Sequence, residues 1–174
     1  MKKLMTFSLF CFLTACGFQP LYVQKTGGSW YYDGQFDTSI TEEMSKIKIS
    51  SISDRFGQQL RNNLLDLITP KGSPRDAKYR LDVKLDSRNV VQQAMRNDVT
   101  ATNERVEYRV KYSLFQENNT LISGDSIAFV SYDILANPYS TTMAQKKAET
   151  DAASIIANDI ALRIGAYFHY KASR

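Results

Sequence analysis

The sequence predicts an α+β fold: a four-stranded, mainly antiparallel sheet with two helices packed on one face, in the order β-α-β-β-β-α. Three observations predict it. Apolar and polar residues alternate with period 2 in separate stretches of the middle of the chain. Two flanking stretches place apolar residues at helical spacing. Clusters of Pro, Gly and Asn separate them, and no internal repeat or low-complexity run intervenes.

Each element has its own warrant. Lys46-Ile47-Lys48-Ile49 alternates and reads as a strand with one apolar face. Ser53 is placed to cap a helix, and Asp54 suits its positive end. Phe56, Leu60, Leu64 and Leu67 form one stripe of that helix, which Pro70, Gly72 and Pro74 stop. Tyr79, Leu81, Val83 and Leu85 alternate with Lys78, Arg80, Asp82 and Lys84. Val106, Tyr108, Val110, Tyr112 and Leu114 alternate with Arg105, Glu107, Arg109 and Lys111. Both stretches read as half-buried strands. Glu117-Asn118-Asn119-Thr120 reads as a hairpin turn, and Leu121 to Tyr132 as a fourth strand with a bulge or irregularity at Gly124. Asn137-Pro138 breaks the chain, and Thr141 or Thr142 can cap a last helix. Its apolar side is read as Ala144, Ala148, Ala152, Ile155, Leu162 and Ala166, with the alanines predicting close packing on the sheet.

The chain has 174 residues, a length that suits one domain. Hydrophobic residues make up 43% and the net charge is only +4, too weak to argue for nucleic acid. The two cysteines, Cys11 and Cys16, both lie near the N-terminus, and the one histidine is His169. That placement excludes a disulfide scaffold, a Cys/His zinc site and a Cys nucleophile in the body, and it makes a Ser-His-Asp triad improbable. No P-loop, GxGxxG, GxSxG, HExxH or CxxC motif is present. No catalytic or metal-ligating residue is assigned, and an enzyme is the minority reading.

The N-terminus carries more information. Met1-Lys2-Lys3 is basic, and the mainly apolar run from Leu4 to Leu13 is shorter than the roughly 20 residues of a membrane span. It suits a signal peptide. Leu13-Thr14-Ala15-Cys16 then resembles a bacterial lipobox, whose cysteine receives a diacylglycerol and becomes the new N-terminus. Residues 1–15 are read as the signal, 16–45 as the lipidated N-terminus and tether, and 46–174 as the folded domain. Trp30-Tyr31-Tyr32 in the tether is either an aromatic anchor or a loop covering the edge of the core. The covalent lipid on Cys16 is the only non-protein group expected. Gly17, in place of the aspartate that commonly retains such proteins at the inner membrane, implies the periplasmic face of the outer membrane.

Charge is sorted within the domain. The polar positions of the first three strands carry Lys46, Lys48, Lys78, Arg80, Lys84, Arg88, Arg105, Arg109 and Lys111 against Asp82, Asp86 and Glu107. This is either an ordinary solvated sheet face or a surface for an anionic partner.

Cys16-Gly17-Phe18-Gln19-Pro20-Leu21-Tyr22 is similar to the start of the LptE family of lipopolysaccharide-assembly lipoproteins. Asp54 to Asn62, Tyr79-Arg80-Leu81, Ser131-Tyr132-Asp133, Asn137-Pro138-Tyr139 and the Ala-rich last helix resemble its alphaproteobacterial branch. The resemblance implies two helices on a four-stranded sheet. It also implies a plug inside the LptD outer-membrane β-barrel that assists barrel assembly and binds lipopolysaccharide in transit. Lipid-A phosphates suit cationic side chains, so Arg80, Lys84, Arg88, Arg105, Arg109 and Lys111 are the candidates for contact with lipopolysaccharide or with the barrel. The alternative is an auxiliary lipoprotein of another envelope transport system.

Overall fold

In a computed structural model of the chain, residues 38–95 and 101–172 are described. The signal, the lipobox and Trp30-Tyr31-Tyr32 lie outside them. The elements are α1 (Thr38–Ser45), β1 (Ile47–Ile49), α2 (Asp54–Ile68), β2 (Tyr79–Met95), β3 (Ala101–Gln116), β4 (Asn119–Asp133) and α3 (Pro138–Ala172). The four strands form one sheet in sequence order. β1 runs parallel to β2, and the β2–β3 and β3–β4 pairs are antiparallel. The α+β prediction holds, with three helices in place of two.

The additional helix corrects the reading of residues 38–45 as tether. Ile40 and Met44, one helical turn apart, are 2% and 6% exposed, so α1 closes one end of the core. Glu43 ties it there. The Tyr79 hydroxyl donates to Glu43 Oε2 at 2.6 Å and Lys78 Nζ donates to the same oxygen at 2.9 Å. Lys46 Nζ donates to Glu43 Oε1 at 2.9 Å and to Glu42 Oε1 at 3.0 Å. The hydrogen bond from Tyr79, then that from Lys78, draws the Glu43 carboxyl from its ordinary 4.5 down to about 2.

α2 starts by a different device from the Ser53 cap that was expected. Ser53 makes no side-chain cap, and Asp54 Oδ1 accepts the Gly57 N–H at 2.8 Å. Asp54 has φ 66°, a left-handed conformation that aspartate tolerates better than most residues. The helix buries Phe56, Gly57, Leu60, Leu64 and Ile68, with Leu67 at the margin of the core.

α3 begins at Pro138, ahead of the expected threonine caps. Asn137 Oδ1 accepts the Tyr139 N–H at 2.9 Å, and proline suits the first helical position because its missing N–H would have no partner there. Its buried side is rotated from the expected one. Ala148, Ala152, Ala153, Ile156, Ala157, Ile160, Ala161, Ile164 and Phe168 face the core, while Ile155 and Leu162 are 48% and 64% exposed.

The partner surface of α3 is β4, whose inward positions include Gly124, Ser126 and Ala128. These small side chains let the alanine-rich helix approach. Gly124 is no bulge: it pairs in register with Tyr112, and a Cβ there would stand 3.0 Å from the Tyr112 hydroxyl. The irregularities lie between Leu85 and Ser87 and between Leu114 and Phe115. A tight turn at Glu117-Asn118 joins β3 to β4, with Glu117 at φ 54°.

Two measurements check this packing. Leu64→Ala, at a site with no exposed surface, is expected to lower stability by about 2–5 kcal/mol in urea unfolding, and Leu162→Ala to stay within about 0.5 kcal/mol. Glu43→Gln is expected to destabilise at pH 7. Because the folded-state pKa of Glu43 is depressed, its contribution is present above the ordinary carboxylate range and fades between 4.5 and about 2. The difference in unfolding midpoint between wild type and Glu43→Gln should therefore shrink as pH falls through that window.

Candidate functional site

Both long helices cover one face of the sheet, and the opposite face carries the candidate residues. Strand register lays that outer face out in rows. Val91, Arg105 and Ser131 form one row; the next holds Asn89, Glu107 and Phe129, then Ser87, Arg109 and Ile127. Lys84, Lys111 and Asp125 follow, then Asp82, Ser113 and Ser123, with Arg80 beside Phe115 at the far end. Five of the six candidate cations, Arg80, Lys84, Arg105, Arg109 and Lys111, therefore share one surface.

Arg88 does not share it. Asp86 is an extra residue between the pairs Leu85–Val110 and Ser87–Arg109, and one extra residue inverts every later side chain of a strand. Arg88 thus stands opposite Tyr108, on the helix side. Its Nε donates to the Tyr108 hydroxyl at 3.2 Å, and its guanidinium lies 5.7 Å from that ring's centre. Tyr108 stacks on Phe56 with ring centroids 4.6 Å apart. The hydrogen bond to Tyr108 raises the Arg88 pKa further. Close by, the Tyr132 hydroxyl donates to Glu104, and burial followed by that bond pushes the phenol up to about 12. Arg88 is exposed at the margin of the helix side and bonded to Tyr108. Lys46 and Lys78 also leave the predicted basic face, since both ammonium groups are engaged by Glu43.

Carboxylates pair with much of the remaining charge. Arg80 Nε lies 3.3 Å from Asp82, Arg109 Nη2 is 2.9 Å from Glu107, and Lys111 Nζ is 2.8 Å from Asp86. The Lys111 hydrogen bond holds the Asp86 carboxyl below its usual range. Among the described residues, Lys84 and Arg105 have no carboxylate partner. Lys84 stands directly across from Lys111, a like-charge pair. The Arg105 guanidinium lies over the Phe129 ring at 4.7 Å, as Arg80 lies over Phe115 at 4.9 Å.

The alternation argument missed the apolar part of this face. Val91 is 56% exposed, Phe129 53% and Ile127 37%. The signal was available in β4, where Ile127, Phe129 and Ser131 follow the polar Ser123 and Asp125 on one face. Reading Leu121 to Tyr132 as one undivided strand hid it.

Other chemistry is sparse. Among the described residues, no group of His, Cys, Asp and Glu could hold a metal ion, and no helix is long and apolar enough to cross a membrane. A recess of about 190 Å³ between α1, β2 and the end of α3 is lined by Ile40, Glu43, Tyr79, Phe168 and Lys171. It is below the roughly 300–1,000 Å³ of most small-molecule sites.

The family model of LptE, described as lipopolysaccharide-assembly, matches residues 44–164. The chain belongs to the LptE family. Three solved structures share its fold. A Caulobacter crescentus CB15 chain assigned as a lipoprotein is 23% identical, with a TM-score of 0.61 over 75% of this chain and 96% of that one. A minor lipoprotein from Acinetobacter baumannii is 14% identical, with a TM-score of 0.53 over 70% and 92%. Rare lipoprotein B from Shewanella oneidensis is 14% identical, with a TM-score of 0.51 over 74% and 98%. Among curated proteins none matches the sequence. This chain is thus a member of a lipopolysaccharide-assembly family.

The inverted register gives a direct check. Arg88→Glu, which puts a carboxylate against Tyr108 and beside the Tyr132–Glu104 pair, is expected to lower the thermal unfolding midpoint. Lys84→Glu, which sets a carboxylate across from Lys111, is expected to leave that midpoint unchanged or slightly raised. Equal losses would place both residues on one face.

Proposed function

We propose that the mature protein is held at the periplasmic face of the outer membrane by lipid on Cys16. There it occupies the lumen of an LptD-type barrel, assists its assembly and contacts lipopolysaccharide in transit. Membership of the LptE family supports the process. The observation that carries the reading to a surface is the one-sided burial of the sheet. The helices cover one face, and the other presents Arg80, Lys84, Arg105, Arg109 and Lys111 to whatever surrounds it.

A barrel lumen and a lipid-A headgroup both make use of such a face. Lumen-facing strand residues are polar, so a sheet that offers paired cations and carboxylates can meet them without burying unpaired charge. Phosphate groups call for guanidinium forks and ammonium charge. Exposed pairs are individually weak, so affinity must come from several at once. The lipobox residues supply the anchor: one acyl chain holds only reversibly, while the two chains of a diacylglycerol hold firmly, at about 0.8 kcal/mol per buried CH₂.

Affinity purification from gently solubilised outer membranes tests the partner, and a barrel of LptD type is expected to come with the protein. A purified protein without a barrel contradicts the plug. In the same cells, Cys16→Ala is expected to abolish incorporation of a palmitate analogue, and labelling that persists in the variant refutes the anchor. Reversal of Arg80 and Arg109 together to Glu, in a variant that remains folded, is expected to weaken lipopolysaccharide binding or barrel co-purification, more at low salt than at high salt.

A further inference from the structure

We propose that the outer sheet face is divided. Val91, Arg105, Ile127 and Phe129, near the end where β2 and β3 form their hairpin, make a site for a phosphate-bearing amphiphile, seating a phosphate beside an acyl chain. The charged rows around Lys84 and Lys111 are not part of it. The proposal rests on the reading that this protein handles lipopolysaccharide, and it names the part of such a molecule that this patch would take.

The division follows from which charges are already satisfied. In the row of Lys84, Lys111 and Asp125, Lys111 is paired with Asp86 and faces Asp125 across the strands. Further along, Arg80 is paired with Asp82. An anion arriving there must displace a carboxylate. At the other end, Arg109 is held by Glu107, and Arg105 has no carboxylate partner among the described residues.

The Arg105 guanidinium lies over the Phe129 ring. The attraction between guanidinium and ring is one of charge and quadrupole, and it leaves the N–H groups without a carboxylate acceptor among the described residues. Contact with the ring therefore leaves those donors for a phosphate and holds them in place. Val91 is the β2 neighbour of Arg105 in the same row, and Ile127 lies two residues from Phe129 on the same face of β4. Residues two apart on one face are about 6.8 Å apart, and neighbouring strands about 4.8 Å. Val91 and Phe129 therefore flank one anchored cation, and Ile127 extends the apolar strip along β4. Single exposed apolar residues are ordinary. Val91 and Phe129 beside a guanidinium with no carboxylate partner among the described residues, with Ile127 next along β4, match the junction of headgroup and chain in an anionic lipid.

The experiment uses the full chain without its signal, carrying Cys16→Ser so that no attached lipid competes. It is titrated with dihexanoyl phosphatidic acid below its micelle concentration, with dihexanoyl phosphatidylcholine and with inorganic phosphate. The phosphatidic acid is expected to bind at least tenfold more tightly than either of the others. Phe129→Ser and Arg105→Gln are each expected to weaken it roughly tenfold, and Arg105→Lys to fall between wild type and Arg105→Gln. Lys84→Gln should change it less than twofold. Thermal midpoints confirm that each variant is folded. Inorganic phosphate binding as well as the amphiphile, or no effect of Phe129→Ser, overturns the proposal. Binding of purified lipopolysaccharide, measured on the same proteins, separates it from the reading it rests on. If wild type binds lipopolysaccharide and Phe129→Ser and Arg105→Gln bind it equally well, this site is wrong and the broader reading stands. If wild type binds no lipopolysaccharide, the broader reading fails, and the phosphatidic acid titration still decides whether the patch takes an amphiphile.

Discussion

The close approach of α3 to β4 is the constraint on which the rest of the molecule depends. A helix seated on a sheet needs small side chains where the two surfaces meet. Here alanines on α3 face the inward positions Gly124, Ser126 and Ala128 of β4. The fit admits one polar defect, since the Ser126 hydroxyl is buried with no hydrogen-bond partner among the described residues. With α3 fixed on β4 and α2 beside it, the apolar face of the sheet is filled. Nothing in the described chain remains to cover the other face. One-sided burial is therefore a consequence of the packing, and the exposed face is where a partner can act.

The extra residue at Asp86 matters for the same reason. Up to Leu85 the apolar side chains of β2 point at the helices; beyond Ser87 the alternation is reversed. The reversal brings Arg88 to the helix side, where the Tyr108 hydroxyl accepts its hydrogen bond. It also turns Val91 outward beside Arg105. A single inserted residue thus takes a cation off the outer face and sets Val91, in place of Val90, on it.

The strands of the sheet and α2 were legible because burial on one side imposes a strict period. Tyr79 to Leu85, Val106 to Leu114 and the stripe of Phe56, Leu60 and Leu64 all show it. What was not legible has physical causes. α1 is held by two apolar residues and by Glu43, whose partners Lys78 and Tyr79 are distant in sequence. The buried side of α3 could not be chosen by apolar content, since Ile155 and Leu162 compete with a face built from alanines. Asp86 leaves no composition signal, because a bulge is a matter of pairing, and so the candidate set included Arg88.

On the proposed function, the outer sheet face, not the exposed side of the helices, is the working surface. Photo-crosslinking in living cells tests it most directly, with a photoreactive residue placed in turn at Lys84, Ile127, Lys147 and Leu162. Adducts with a barrel or with lipopolysaccharide are expected from Lys84 and Ile127, and none from the α3 positions Lys147 and Leu162. Adducts confined to Lys147 and Leu162 would contradict it.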